Sequence, residues 1–587
     1  MLPPPKSVVY CKRPACVGEG VFSMILAIDM GGTHIDGVLL RQGVLLKSVK
    51  HEVNKADLFN SIWQCLQDLL QDQEKSEIDR IHLSTTVCTN AIVEGKVSRV
   101  GVIVQSGPGI NWDFDRMGDN LYYLSGSTDH RGIVVDNFRQ SELQTIQARF
   151  QDSGVESLAV ISKFSPRNPD TEKRIGDFFA DEYKEITLGH RLSGKLNFPR
   201  RVQTAYLNAA VADTFRTFAG SMLAALAEEA ITAPVYILKA DGGTVDLDSA
   251  LKRPVETILS GPAASFVGIS ALFPRTEDDA ILLDIGGTTT DIFFLAAGLP
   301  LFEATGIEID GRKTLVRAVY SSSVGLGGDS YVHIDKGEIR IGPERRGFAV
   351  AFGGEDLTPT DALVYLGLMR GSYPQKAAEA LAALAAELEL DTEACATKIV
   401  TGFCDSIMQR IAEILGRINS SPVYTIRELL HGRQLKPRSI RLIGGPAKAL
   451  AEPLHAASGL EISFPDNYEI ANALGAALAR PTTEISLYAN TERRILSIPE
   501  LGIYENIDKS FNLAQAEEIA LQAVAQAGAA MGLPPDQVET EITEASSFNM
   551  VRGFMSRERN IRVRAQIKPG LLYKLQQAEE GSRHEGQ

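Results

Sequence analysis

Two octapeptides in this chain nearly repeat one another: DMGGTHID from Asp29 to Asp36 and DIGGTTTD from Asp284 to Asp291, about 255 residues apart. A period that long belongs to a duplicated domain, not to a solenoid unit. Each octapeptide follows an apolar run, Met24 to Ile28 or Ala280 to Leu283, and leads into another, Gly37 to Leu40 or Ile292 to Ala296. Both places read strand, Gly-Gly turn, strand. The pairs Gly31, Gly32 and Gly286, Gly287 are expected to use positive φ and bring backbone close to a ligand, with Thr33, Thr288, Thr289 and turn N–H groups as donors to phosphate oxygens. Asp29 and Asp284, at the strand ends, are candidate ligands of a hydrated magnesium ion. A single such turn occurs in many ordinary hairpins, whereas two with matching flanks point to ATP.

A chain of 587 residues with 44% hydrophobic content is too long for one core and implies two large units with additions. Its net charge of -15 argues against general binding to nucleic acid or to an anionic membrane surface. No apolar run approaches the ~20 residues that cross a bilayer. Residues 1–23 lack a signal-type apolar core and read as a disordered extension, with Met24 a candidate start. The six cysteines (Cys11, Cys16, Cys65, Cys88, Cys395, Cys404) form no CxxC pair. That spacing points to a reducing cytoplasm and away from zinc or iron-sulfur sites.

Between the repeats, Leu45 to His51 reads as a strand, Leu58 to Leu70 as a helix, and Ile78 to Leu83 as a strand entering STTVCTNAIVEGK. Thr85, Thr86, Thr89 and Asn90 thus cluster just beyond a strand end, where the crevice of an open α/β sheet lies. Thr89 or Asn90 can equally cap a helix over Ala91 to Glu94, and a helix N-terminus is itself an anion site. Further on, Lys239 and Asp241 in KADGG either face the cleft or form a surface turn. In SGPAASFVGI, Ser260 is a candidate N-cap, and Gly261 and Pro262 stand at the helix entry.

Together DMGGTHIDGVLL, STTVCTNAIVEGK, RPVETILSGPAASFVGI and LLDIGGTTTDI resemble the hydantoinase A, 5-oxoprolinase and acetone carboxylase β-subunit family, within the acetate kinase, sugar kinase, Hsp70 and actin superfamily. The resemblance spans roughly residues 24–480. It implies an α/β fold of two actin-like (RNase H-like) ATPase domains facing a central cleft. The corresponding domains are 24–205 with the first hairpin and 206–480 with the second; residues 481–587 depart from the family pattern and read, from a helix over Ala514 to Met531, a polar strand near Val538 to Ile542 and a charged strand near Arg559 to Ile567, as a small α+β C-terminal appendage. The resemblance also places Gly325, Gly327 and Gly328 in a Gly-rich loop that can reach nucleotide or substrate. It assigns Gly444 and Gly445, after the strand in SIRLIGGPA, to adenosine, where the alternative is a tight strand-to-helix turn. EIANALGAALA resembles the superfamily's inter-domain connector, whose small residues let helices pack closely. FAVAFGG stands where the family has a Gly-Pro-Ala-Cys run, which bears on the substrate pocket more than on ATP.

The activity implied is ATP-dependent hydrolysis of a cyclic amide or imide, with a hydantoinase B-type partner subunit. Asp29, Asp284, Thr86, Thr89 and Asn90 are the candidate catalytic residues. Asp36 and Asp291 are candidate bases that can instead close their hairpins locally, and Asp36, Asp241 and Asp291 are candidate substrate contacts. The superfamily also contains ATPases that reactivate a partner enzyme, small-molecule kinases and ATP-dependent ketone carboxylase subunits, and these classes stay open. Asp361 in TPTDALVYLG is expected to cap a helix. Asp129, His130 and Arg131 in GSTDHRG are expected to form a solvated turn. The tail GSRHEGQ reads as disordered.

Overall fold

The computed structural model describes residues 24–32, 34–54, 57–109, 117, 119–303, 305–420, 434–552 and 555–576. The expected extension at 1–23 with Cys11 and Cys16, the candidate Thr33, and the GSRHEGQ tail lie outside the described residues.

The first repeat is a hairpin of Met24–Met30 and His34–Arg41, extended on one side by Val44–Glu52. On its other side Met24–Met30 pairs in parallel with Ile78–Thr85, which pairs in parallel with Val235–Leu238, and Thr244–Asp246 closes the edge. Parallel neighbours need long crossovers, and helices supply them here. Leu58–Leu70 begins where the Asp57 carboxylate accepts the Asn60 N–H at 3.0 Å, and buries Ile62, Cys65, Leu66 and Leu69, the i, i+3, i+4, i+7 face. The long helix Phe198–Glu228 packs beside it in the same core. The proposed boundary at 205/206 falls inside this helix, and the first sheet takes strands from as far on as residue 246.

The second repeat builds the same pattern. Ala280–Ile285 and Thr290–Ala296 form the hairpin, Leu299–Pro300 and Ser321–Val324 pair with its outer strand, and Ser439–Ile443 and Glu461–Ser463 continue in parallel from its inner strand. Asp29 pairs with Asp36, and Asp284 with Asp291, at the same register position. Each turn is closed by the same bond: Gly31 N–H to His34 O and Gly286 N–H to Thr289 O, both 2.9 Å. The four turn glycines do not occupy left-handed backbone, contrary to the expectation from sequence. What they contribute is the missing side chain: a Cβ on Gly287 would lie 2.6 Å from the Asp329 carboxylate.

Two further sheets of more than two strands are present among the described residues. Ile186–Leu188, Ser157–Ser162, Val100–Gln105 and Leu121–Tyr123 form a parallel four-stranded sheet. The C-terminal region is an antiparallel sheet in the order Ile503–Asn506, Ile495–Ile498, Glu484–Asn490, Met555–Ile567, Thr540–Arg552, backed by the helix Leu513–Ala530. The α+β character expected of this region is present. Its sheet is larger than the two polar strands legible in the sequence, and its apolar face joins the core of the first sheet.

The two repeated halves meet at a crossing of small residues. Helix Ser260–Leu272 lies on the second sheet, burying Ala263, Ala264 and Ile269 with Leu282 and Phe293. Helix Ala471–Leu478 lies on the first sheet, burying Ala473, Leu474 and Ala477 with Ile25, Ala27 and Val38. A Cβ on Gly268 would overlap the Ala471 carbonyl oxygen, and one on Gly475 would overlap the Ala264 carbonyl. The connector helix is also pinned by His82, fully buried in the first sheet, whose Nδ1–H donates to Ala476 O at 2.8 Å. Burial pushes the His82 imidazole down to about 3, so the ring stays neutral.

Gly268→Val forces a branched side chain into backbone that has no room to yield, and is expected to lower stability by about 3 kcal/mol in urea unfolding. For His82, the unfolded ring takes up a proton near pH 6.5 that the folded ring refuses until about pH 3. Stability therefore falls with acid across that window, by up to about 1.4 kcal/mol per pH unit from this group. His82→Leu is expected to flatten the measured slope between those limits.

Candidate active site

The ends of the two hairpins face each other across one cleft of about 850 Å³. Asp29, Gly31, Gly32, Asp36, Thr86 and Asn90 line it from the first half. Asp284, Gly286, Gly287, Thr288, Thr289, Asp291, Gly328, Gly444 and Gly445 line it from the second. Gly261 and Pro262, at the start of helix Ser260–Leu272, reach the same space. Ser260 is not the cap of that helix. Leu259 precedes it at φ 64°, and the Ser260 hydroxyl donates to Thr85 O at 2.8 Å, tying the helix to the end of the first sheet.

The threonine loop divides in two. The helix runs from Val87 to Val93, earlier than the sequence suggests, and Thr86 is its N-cap. The Thr86 backbone N–H donates to Met30 O at 3.1 Å, which holds the helix start against the first hairpin. Asn90 Nδ2 donates to the Thr86 hydroxyl at 3.2 Å, and both side chains line the cleft. Thr89 does not line it: its hydroxyl accepts the Leu259 N–H at 3.0 Å and serves as a staple between segments.

Two other expected site residues, Gly327 and Asp241, also lie away from the cleft, and Asp361 takes part in capping a helix as expected. Gly327 is packed under the second turn, where a Cβ would lie 2.5 Å from Gly287 O. The Gly-rich loop is a buttress, with Gly328 N–H to Gly286 O at 2.9 Å and Asp329 N–H to Gly287 O at 2.7 Å. Asp241 is buried beside Lys239 at 3.3 Å, accepts the Gly243 N–H at 3.0 Å and is held below the usual carboxylate range by Lys239 and Arg317 against the effect of burial. Asp361 is buried at the third position of its helix, accepting from Thr358 in a capping box and from the Ala351 N–H at 2.6 Å. In GSTDHRG the Asp129 carboxylate accepts from the Arg131 and Ile133 N–H groups, each at 2.9 Å, as a turn requires.

The electrostatics of the cleft are set by its carboxylates. Burial, with Asp36 and Asp284 adding their charge, raises Asp29 to about 7. Burial and the charge of Asp284 raise Asp291 to about 7. Burial also raises Asp284, against two donors on its Oδ2: the Ser265 hydroxyl at 2.6 Å and Asn472 Nδ2 at 3.1 Å. Asp36 is ion-paired to Lys50 at 2.6 Å, and Asp329 to Arg345 at 3.0 Å. Among the described residues, Asp29 Oδ1 and Asp291 Oδ1 are buried with no hydrogen-bond partner. The Asp29 oxygen suits a cation, and the Asp291 oxygen is open to accept a proton. Among the described residues no three His, Cys, Asp or Glu side chains come together as a metal-binding group.

Lys50, Ser265, Asn472, Asp329 and Arg345 were not singled out from sequence as site residues. Lys50 had a signal: it stands opposite Asp36 in the register of the adjoining strand. The others arrive through tertiary contacts alone.

Gly444 shows why this turn needs glycine. At φ 96° it sits against the second hairpin, where a Cβ would overlap Ile285 O and lie 2.8 Å from Asp284 Oδ1. A Cβ on Gly445 would meet nothing within 4 Å, leaving open surface beside it.

The sequence model described as "Hydantoinase/oxoprolinase N-terminal region" matches residues 25–183, and that described as "Hydantoinase/oxoprolinase" matches residues 201–485. The chain belongs to the hydantoinase/oxoprolinase family. It is similar to the acetophenone carboxylase gamma subunit of Aromatoleum aromaticum, with 25% identity over 393 residues covering 58% of this chain and 52% of that one. It is also similar to 5-oxoprolinase 1 of Arabidopsis thaliana, with 26% identity over 345 residues covering 51% of this chain and 26% of that one. The chain thus spans about half the length of the first of these relatives and a smaller share of the second. Among solved structures, a nucleotide-free acetone carboxylase superposes with a TM-score of 0.69 at 17% identity, and an ATP-dependent caprolactamase from Pseudomonas jessenii with 0.67 at 20%. Each alignment covers 94% of this chain and 88% of the other, and shows a shared fold. Coverage that high takes in most of 481–587, so the C-terminal sheet belongs to the shared architecture although its sequence departs from the family pattern.

Thr89→Val removes the acceptor for a part-buried N–H without touching the cleft. Its expected effect is a loss of about 1 to 3 kcal/mol in chemical denaturation, with nucleotide affinity by calorimetry unchanged.

Proposed function

We propose that the chain is an ATP-dependent hydrolase of a cyclic amide or imide, of the hydantoin, oxoproline or lactam type, and the ATP-using subunit of a two-component enzyme. The observation that carries this reading is the convergence of Asp29 and Asp284, from two hairpins in identical register, on one cleft. Membership of the family, and relatives named for oxoproline and caprolactam chemistry, support the substrate class. The relative named as a carboxylase gamma subunit supports a partner, which we take to be of the hydantoinase B type.

An unstrained amide resists water because its carbonyl carbon is weakly electrophilic. Moving the γ-phosphoryl group of ATP to the carbonyl oxygen, with ADP departing, gives an O-phosphorylated imidate that water attacks, releasing phosphate. Asp29 and Asp284 would hold a magnesium ion, which would neutralise phosphate charge when bound. The chain's own residues position the reactants. Gly31, Gly32, Gly286 and Gly287, with Thr288 and Thr289, face the phosphates from opposite sides, and Gly444 and Gly445 seat adenosine. Thr86 and Asn90 orient the acceptor. Asp291 is a better candidate base than Asp36, because its Oδ1 is free of partners whereas Asp36 is engaged by Lys50.

Asp29→Ala and Asp284→Ala are each expected to lower substrate-stimulated ATP hydrolysis by about a hundredfold or more, with circular dichroism unchanged. Full activity in either variant refutes the metal assignment. Screening hydantoins, 5-oxoproline and lactams for stimulated turnover tests the substrate class. Conversion of substrate by the purified chain alone, with stoichiometric ATP use, refutes the need for a partner.

A further inference from the structure

A second cavity, of about 320 Å³, lies between the Pro166–Arg167 turn, the segment 194–197 and the C-terminal sheet. It shares no lining residue with the ATP cleft. Arg167 enters it from the first half of the chain. This residue is 7% exposed, and its guanidinium lies 4.4 Å over the ring of Tyr488. Among the described residues no hydrogen bond or ion pair engages that guanidinium. Asp129, the carboxylate that acts on it electrostatically, is committed to Arg131 and to two backbone N–H groups.

Arg562 approaches from the other side. It stands directly opposite Tyr488 in the register of the C-terminal sheet, on the same face, and makes no ion pair among the described residues. The other cations lining the cavity are already compensated: Lys195 pairs with Glu484 at 3.4 Å, and Arg564 with Glu544 at 3.0 Å. Two positive charges therefore remain, focused on one cavity in a chain whose net charge is -15.

A nearly buried guanidinium without an anion is costly, and stacking on one aromatic ring offsets only part of that cost. The planar fork of arginine is matched by a two-oxygen anion. Leu196, Leu315 and Pro499 give the cavity apolar wall, and its volume suits a small metabolite. We propose that this cavity is a second binding site, for a small organic oxyanion, a carboxylate or a phosphate monoester, with Arg167 and Arg562 as its anchors. The site is independent of the function proposed for the cleft. It joins the C-terminal sheet to the first half of the chain through a ligand.

The test is isothermal titration calorimetry of the full chain with succinate, glycerol 3-phosphate and inorganic phosphate at constant ionic strength. One-to-one binding of an organic probe is expected, with succinate marking a carboxylate site and glycerol 3-phosphate a phosphate-ester site. Arg167→Gln and Arg562→Gln should each weaken that binding about tenfold or more, while Asp29→Ala leaves it unchanged. Arg562 is exposed, so its variant reads the site even where Arg167→Gln proves unstable. The proposal is overturned by any of four results: no saturable binding of either organic probe at about 10 mM, binding of inorganic phosphate alone, affinity unchanged in the Arg562 variant, or loss of binding in Asp29→Ala.

Discussion

The contact on which this molecule depends is backbone against backbone. Helices Ser260–Leu272 and Ala471–Leu478 touch through Gly268 and Gly475 at a distance that excludes even one methyl group. Each helix belongs to the apolar layer of a different sheet, so their crossing fixes how the two halves face each other. The same two helices carry Ser265 and Asn472 to the Oδ2 of Asp284. A displacement of one half relative to the other cannot leave both hydrogen bonds as they are. The geometry of the cleft and the electrostatics of its central carboxylate are thus two readings of one packing contact.

Duplication gives the cleft its shape, but the halves are not equivalent in detail. The first hairpin is flanked by Lys50, which neutralises Asp36, whereas Asp291 at the corresponding place is left with an open oxygen. The second turn is supported from beneath by Gly327 to Asp329, and the described contacts of the first turn include no such loop. One side of the cleft is braced and acidic, and the other is closed by an ion pair.

Local sequence carried the hairpins and their strand flanks, because a Gly-Gly turn between apolar runs is a short-range signal repeated at domain spacing, while the meeting of the two turns was implied by the family resemblance. It also carried the close packing of the connector helix, since alanine and glycine at a helix face admit few other roles. Thr86, Thr89 and Asn90 could not be separated by residue type. The phase of one short helix, set by the Thr86 to Met30 bond, turns Thr89 toward Leu259 and leaves the other two in the cleft. Asp241 looked like a cleft residue because it follows a strand end. Lys239, which is buried, and the half-buried Arg317 claim its charge instead. Ser265 and Asn472 were out of reach, because their partner lies on a distant strand and no periodicity announces a side chain's tertiary neighbour.

The C-terminal sheet and the first sheet share one core, in which Ile561, Val563 and Ile567 are buried together with Met24, Leu26 and Ile81. The first sheet also waits for Val235–Leu238 to pair with Ile78–Thr85. A ribosome therefore releases the first hairpin long before the residues that bury its surroundings exist. The core of the N-terminal half is incomplete until the C-terminal strands exist, whereas one face of the second sheet is buried wholly by residues between 281 and 454. The two ends of the described chain thus complete one core together.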